Sequence, residues 1–380
     1  MENRMTSWRI SALADRHRAL GSTLADWNGM GTAWTYSSDL ADEHEAIRTH
    51  AGLMDVSGLK KVHVIGPHAE ALINQAVTRN VSKLYPGKSV YACMLNEAGK
   101  FIDDCVIYRN GPNAFMVVHG AGQGHEILTR GAVGRNVAVL FDDDLHDLSL
   151  QGPLAVEYLS RHVPGIRQLP YFHHLQTTLF GRPVMISRTG YTGERGYELF
   201  CKAADAPTIW DTIVAEGKAM GIVPCAFTAL DWLRVESCLL FYPYDNSDMY
   251  PMDGEPIGDT LWELGLDFTV SPGKTEFRGA AEHFRLQGRE RFKIFGIELD
   301  STEAAQAGDA LYDGDTKVGF VTCGMYSRLS GRSMAIARMD TAYAVPGRKL
   351  ALRGAALNCA ASTHSLPFDD PQKTKRMAKD

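Results

Sequence analysis

The run Ser187-Arg-Thr-Gly-Tyr-Thr-Gly-Glu-Arg-Gly-Tyr-Glu-Leu-Phe200 decides how the rest of this 380-residue chain is read. It follows the apolar residues Val184, Met185 and Ile186, passes glycines at 190, 193 and 196, and resumes as a strand-like segment from Tyr197 to Cys201. The pattern predicts a strand, a tight glycine loop and a second strand. In that second strand the two-residue period sends Tyr197, Leu199 and Cys201 to one face and Glu198 and Phe200 to the other. Glu198 is then a half-buried carboxylate beside an aromatic ring, a costly arrangement unless the charge is paired. Two partners satisfy it: an arginine from elsewhere in the fold, or a ligand presenting two parallel N–H donors to the two carboxylate oxygens.

The run closely resembles the glycine-loop signature of the folate-binding aminomethyltransferase family, which comprises the T-protein of the glycine cleavage system and the tetrahydrofolate-dependent demethylases. A pterin offers the fork of N–H donors that a carboxylate accepts. The resemblance implies that Tyr191 and Glu198 lie against the pterin of tetrahydrofolate, and it covers nearly the whole chain, residues 15 to 370. It further implies an α+β fold: two interlocked α+β lobes forming a folate-binding region over residues 1–285, a C-terminal β-barrel over 286–372 and a polar tail over 373–380.

Bulk properties narrow the function classes. The chain is long enough for two or three packed domains, and 45% hydrophobic with 22% charged residues is ordinary for a globular protein. A net charge of −6 with no long Lys/Arg run argues against a nucleic-acid face. The polar opening Met1–Arg9 and the lack of a long apolar run predict a cytoplasmic protein with no membrane segment. The seven cysteines stand apart with no C-x-x-C spacing, as reduced and mostly buried thiols do. Pro170-Tyr-Phe-His-His174 has adjacent histidines but no Cys or acid at ligand spacing, so no metal is expected. The basic cluster Lys373–Lys379 reads as a solvated tail.

Taken in order, the chain keeps the resemblance but departs from it at informative places. The aromatic segment 6–40, with Trp34, is read as pocket wall. Asp55-Val-Ser57 is followed by Gly58-Leu59, where the family has His-Met; the smaller pair is expected to enlarge or reshape the substrate side of the site. Strands are predicted near 89–95, 101–109 and 114–118, with a helix opening at Pro67. The second strand carries Asp103-Asp104, whose side chains face opposite ways, so that only one enters a given cavity. The resemblance assigns Asp104, with Asp103 as the fallback, to the reacting nitrogens of tetrahydrofolate. There an anion orients the folate and stabilises positive charge developing on nitrogen.

Gly120-x-Gly-x-Gly124 superficially suggests a dinucleotide loop, but the third glycine is out of register and a meander of strands precedes it. His119 stands where the family has asparagine and is a candidate general acid. A helix is predicted from Ala226 to Leu240. It keeps Arg234 and Glu236 but has Leu230 in place of a family arginine, and Tyr242-Pro-Tyr-Asp245 follows. Lys274-Thr-Glu-Phe277 lacks the cysteine of the non-enzymatic folate-binding branch.

These features predict a tetrahydrofolate-dependent one-carbon transferase, a demethylase that moves a methyl group from a small O-, S- or N-methylated donor to tetrahydrofolate. An aromatic methyl ether is one such donor. Tyr91, Asp104, Tyr191, Glu198 and Arg234 are expected to hold the folate, Asp104 and His119 to serve catalysis, and Trp34, Leu59, His173 and Tyr242 to meet the substrate. The alternatives are a T-protein acting with a lipoylated carrier protein, and a folate-binding protein without catalysis.

Overall fold

The computed structural model describes residues 8–251, 254 and 256–379. Met1–Ser7 of the polar opening and Asp380 of the tail lie outside the described residues.

The decisive run forms the expected strand, loop and strand. Arg182–Ser187 and Gly196–Lys202 pair antiparallel, with Ser187 opposite Glu198. Gly193 turns the loop at φ +83°, and a side chain there would drive Cβ to 2.1 Å from Ser237 Oγ. Only glycine combines that positive φ with so close an approach. The two strands belong to a six-stranded sheet ordered His174–Leu179, Arg182–Ser187, Gly196–Lys202, Leu145–Gln151, Ala51–Asp55, Ile222–Pro224. Tyr197, Leu199 and Cys201 point into a core shared with the helices Ala155–Leu159 and Ala206–Gly217. The second helix begins with Pro207 in its first turn, buries Ile209, Trp210 and Ile213, and passes through a short 3-10 turn to Gly221 in the left-handed region. Each such apolar side chain contributes about 1.5–3 kcal/mol when fully buried.

A second sheet has the order Ser89–Leu95, Phe101–Gly111, Ala114–His119, Lys60–Ile65, Ala138–Phe141. One face is covered by the helices Ala69–Ala76 and Gly124–Gly131, whose Leu72, Ile73, Ile127 and Leu128 meet Val62, Ile107, Phe115 and Val117. The other face turns to the first sheet, and Tyr108, Met116 and Val118 pack there against Met185 and Phe200. The lobes are interlocked because Ala51–Asp55 is laid into the six-stranded sheet before the chain crosses to build the five-stranded one. Six strands from Phe292 to His364 close into a barrel. The buried Arg338 ties it to the body through Asp259 Oδ2 at 2.8 Å, with its guanidinium 3.7 Å from the centre of the Phe292 ring.

Two expectations change. The helix predicted to reach Leu240 is Phe227–Glu236. Ser237 leaves it to donate to Thr192 O at 2.8 Å, and Cys238 adopts φ +51°, which turns the Leu239 and Leu240 carbonyls toward Tyr191. The basic C-terminal cluster does not stand free in solvent. Lys375 Nζ reaches Glu194 Oε1 at 3.2 Å and Asp369 Oδ2 at 2.9 Å, and Arg188 donates to Arg376 O at 3.2 Å and to Ala378 O. Backbone carbonyls and paired charges dock the segment against the glycine loop.

Candidate functional site

The interface between the two sheets brings Glu198 of the six-stranded sheet and Asp104 of the five-stranded sheet to facing sides. Glu198 points from the six-stranded sheet toward Tyr108, which donates to Glu198 Oε2 at 3.2 Å; Thr189 donates to the same oxygen. No arginine among the described residues pairs with it. Both hydrogen bonds end on Oε2, so Oε1 keeps its lone pairs for another donor. Burial raises the Glu198 carboxyl above its usual range, while the Thr189 and Tyr108 hydrogen bonds oppose the rise. A ligand bringing N–H groups to this carboxylate would favour its charged form. Met185, Phe200, Met116 and Val118 pack beside Tyr108 on the same side as an apolar backing to this carboxylate. Glu198 Oε1, left open by the protein's own donors, is chemically suited to accept an N–H group such as a pterin presents.

Asp104 faces the same interlobe side. Its Oδ2 accepts from Tyr91 Oη at 2.7 Å, and Tyr91 in turn stacks near Phe268 with centroids 6.5 Å apart. Burial, reinforced by the charge of adjacent Asp103, raises the Asp104 carboxyl to about 6 against the pull of the Tyr91 hydrogen bond. Tyr191 crosses from the glycine loop to donate to Leu239 O at 3.1 Å and to Leu240 O. Arg234 is almost completely buried, with Nε donating to Asp231 Oδ1 at 2.7 Å and Nη1 to Asp245. Its charge is matched within the protein, and it supports the Phe241–Asp245 turn.

The other face of the same strand behaves differently. Asp103 Oδ1 accepts from Asp104 N at 2.9 Å and Oδ2 from Gly124 N at 2.7 Å. His119 Nδ1 lies 2.8 Å from Asp103 Oδ2, without hydrogen-bond geometry at either ring nitrogen. His119 pairs with Cys105, so it shares the face of Asp103 and Cys105 and not that of Asp104. It is 1% exposed beneath the helix Gly124–Gly131. The glycine run makes this burial possible: a Cβ at Gly122 would lie 2.3 Å from Asp103 Cγ, and one at Gly124 would lie 3.0 Å from His119 Cγ. The run packs a loop onto an acid, which accounts for its failure to match a phosphate-binding loop.

The expected substrate residues fall in separate places. Trp34 and Leu59 pack around an aromatic box of Trp27, Phe227 and Phe241, which also takes Tyr191 and Leu230. Gly58 does not open a cavity there, because Trp27 fills its place: a Cβ at Gly58 would lie 2.4 Å from Trp27 Cε3. The Gly58-Leu59 change therefore reshapes this wall in exchange for an indole ring. Tyr242 meets the edge of Phe101 at 5.4 Å, in the cluster that holds Tyr91 and Leu240. His173 is turned to Tyr85, with Nε2 at 2.7 Å from the hydroxyl, and its Nδ1 faces Tyr171 O. Its neighbour His174 instead sets its ring on Tyr108 at 5.4 Å, and burial lowers its pKa to about 4.

Sequence reasoning missed Asp147 and Lys61, both buried between the sheets. Asp147 is opposite Phe200 and so on the Glu198 face, and neither carboxylate oxygen has a hydrogen-bond partner among the described residues. Lys61 Nζ donates to Ser57 O and Leu59 O, each at 2.8 Å. The alternation Asp147-Leu-Ser-Leu-Gln151 carried the signal, a strand polar on one face within an otherwise apolar sheet.

Comparison with known proteins gives a consistent family. Residues 13–274 match the GCVT N-terminal domain and residues 293–370 the glycine cleavage T-protein C-terminal barrel domain. The chain is 74% identical, over 98% of its length and 99% of the relative's, to a heme-dependent oxidative N-demethylase gamma subunit of Ectopseudomonas mendocina. It is 34% identical, over 90% of its length and 92% of the relative's, to an aminomethyltransferase of Streptomyces coelicolor. The solved aminomethyltransferase T of the Bartonella henselae glycine cleavage system superposes with a TM-score of 0.85 at 26% identity, covering 95% of this chain and 98% of that one. No helix among the described residues is long and apolar enough to cross a membrane.

Proposed function

Because this chain belongs to the glycine cleavage T-protein family, and is an enzyme of one-carbon transfer, we propose that it moves a one-carbon unit from an N-methylated amine to tetrahydrofolate as one subunit of an oxidative N-demethylase. The observation that carries this reading is the 74% identity, end to end, with a subunit bearing that name. Oxidative removal of an N-methyl group delivers its carbon at the oxidation level of formaldehyde. Condensation of formaldehyde with N5 and N10 of tetrahydrofolate forms two C–N bonds, releases one water and gives 5,10-methylenetetrahydrofolate. No electrons are transferred in that step, so the oxidation belongs to a partner subunit. In this reading the donor is an amine, one of the N-methylated donors expected, and the carbon enters the folate as a methylene bridge.

In this reading Glu198 accepts the paired N–H donors of the pterin, Tyr108 and Thr189 hold that carboxylate, and Tyr91 orients Asp104. Asp104 in its ionised form stabilises positive charge on the attacking nitrogen as the carbon–nitrogen bond forms. The site between the sheets keeps water from competing for the electrophilic carbon. Trp34, Leu59 and Tyr242 would form the wall past which the one-carbon unit arrives, and Arg234 would brace the turn below it. In this reading His119, on the opposite face of its sheet, and His173, turned to Tyr85, take no part in the transfer.

The test is mass spectrometry of tetrahydrofolate incubated with this protein, its co-purified partners and a methylated amine, against the same mixture without this protein. Faster formation of 5,10-methylenetetrahydrofolate with the protein present supports the proposal. Product formation only from an aminomethylated lipoyl carrier would instead assign the chain to glycine cleavage, a reading that the aminomethyltransferase relatives favour.

A further inference from the structure

Beside Asp104 the structure presents a ring and a cation that neither the fold nor the transfer just described uses. Tyr91, which donates to Asp104 Oδ2, stacks with Phe268 at an interplanar angle of 21°. Asp104 and Tyr91 are half-buried, and Phe268 is 57% exposed. Arg79 sets its guanidinium 5.7 Å from the centre of the Phe268 ring. Its Nε donates to Tyr91 O at 3.0 Å, but among the described residues its two terminal nitrogens have no hydrogen-bond partner and no carboxylate pairs with it. Both residues are fixed in place. Thr78 Oγ1 donates to Thr269 Oγ1 at 3.1 Å and Asn80 N to Ser271 Oγ at 2.9 Å, so the neighbours of Arg79 are tied to the turn that carries Phe268. Lys274 Nζ holds the Arg79 carbonyl at 2.6 Å.

A fixed guanidinium with two free N–H edges, next to an open aromatic face, is suited to an aromatic ring that carries a carboxylate. Tetrahydrofolate bears its groups in a matching order: the pterin with N5, then N10, an aminobenzoyl ring bonded to N10, and a glutamate with two carboxylates. With the pterin edge at Glu198 and the reacting nitrogens at Asp104, the benzoyl ring comes next to Tyr91 and Phe268, and the carboxylates come next to Arg79. We propose that Phe268 and Arg79 form the subsite for this tail, with Arg79 as the residue that makes the site select an anionic tail over a neutral one. The inference rests on the proposal that tetrahydrofolate binds between the lobes.

Calorimetric titration of the intact protein with tetrahydrofolate and with its α,γ-diamide, which keeps the ring but has no tail charge, tests this. Wild type is expected to prefer tetrahydrofolate by about tenfold. Arg79→Gln should bring the preference toward unity by weakening tetrahydrofolate binding alone, whereas Arg79→Lys, which keeps the charge, should retain part of it. Glutamine can still donate to Tyr91 O, so the variant is expected to fold, and a thermal melt verifies this. Phe268→Ala should weaken both ligands alike, by about threefold, because both carry the ring. Equal binding of the two ligands by wild type, an unchanged preference in Arg79→Gln, or an equal loss for both ligands in that variant overturns the inference while leaving the folate reading intact. Failure of wild type to bind either ligand overturns both.

Discussion

Asp103 and Asp104 are neighbours on one strand, yet the two faces of that strand put them to opposite uses. Asp103 is fully buried under the helix Gly124–Gly131, and both of its oxygens accept backbone N–H groups, with His119 alongside. Asp104 looks into the space between the lobes, and one hydrogen bond from Tyr91 leaves its other oxygen uncommitted. The first acid is consumed by the structure and the second is kept available. The contrast shows how a two-residue period separates a carboxylate fully bound by backbone from one left open to the interlobe side within a single Asp-Asp pair.

Substitutions on the two faces sharpen or break this contrast. The largest effect is expected from Asp104→Asn, which should lower turnover to 5,10-methylenetetrahydrofolate by about 10²–10³-fold with little change in folate affinity. The same variant should lose a stability slope. A carboxyl whose folded pKa is raised to about 6 binds more protons folded than unfolded between its ordinary value and 6. Stability of the wild type therefore falls as pH rises through that window, by on the order of 2 kcal/mol, and thermal melts at pH 5 and pH 8 should show the difference shrinking in Asp104→Asn. Glu198→Gln replaces one acceptor oxygen by a donor and should weaken tetrahydrofolate binding by about 1.5–3 kcal/mol, read by titration.

On the other face, Asp103→Asn should cost about 1–3 kcal/mol in denaturant unfolding, because an amide cannot accept from both Gly124 N and Asp104 N as the carboxylate does. Turnover per folded molecule should stay within about twofold, since no reacting group is removed. A large drop in turnover at constant stability would erase the distinction between the faces. His119→Asn should have the smallest effect on turnover, contrary to the general-acid role that its position in the sequence suggests.

Much of the fold was legible because local rules and tertiary packing agree. The strand–loop–strand of 182–202, the helix after Asp205 and the meander from Ser89 to His119 follow from alternation, glycine placement and helical spacing. The candidate site was legible only where strand parity settles direction, as for Glu198 opposite Tyr197. His119 misled because histidine chemistry says nothing about which side of a sheet it faces; counting parity through the pairing with Cys105 requires the register, which depends on the bulge between Arg109 and Gly111. Gly58 misled in a similar way. A missing side chain suggests space, but Trp27, distant in sequence, occupies it. The docked tail was invisible for the same reason, since its anchors Arg188 and Glu194 lie far upstream.

The most direct test is the pH dependence of turnover in wild type and in His119→Asn. If the interlobe face carries the chemistry, both should show a limb that rises with pH near 6, as Asp104 ionises. The variant's limb should be displaced upward at most slightly, because the His119 charge helps to hold Asp104 down. Loss of that limb in His119→Asn, with folding and folate binding intact, would place the reacting proton on the buried face and contradict the account.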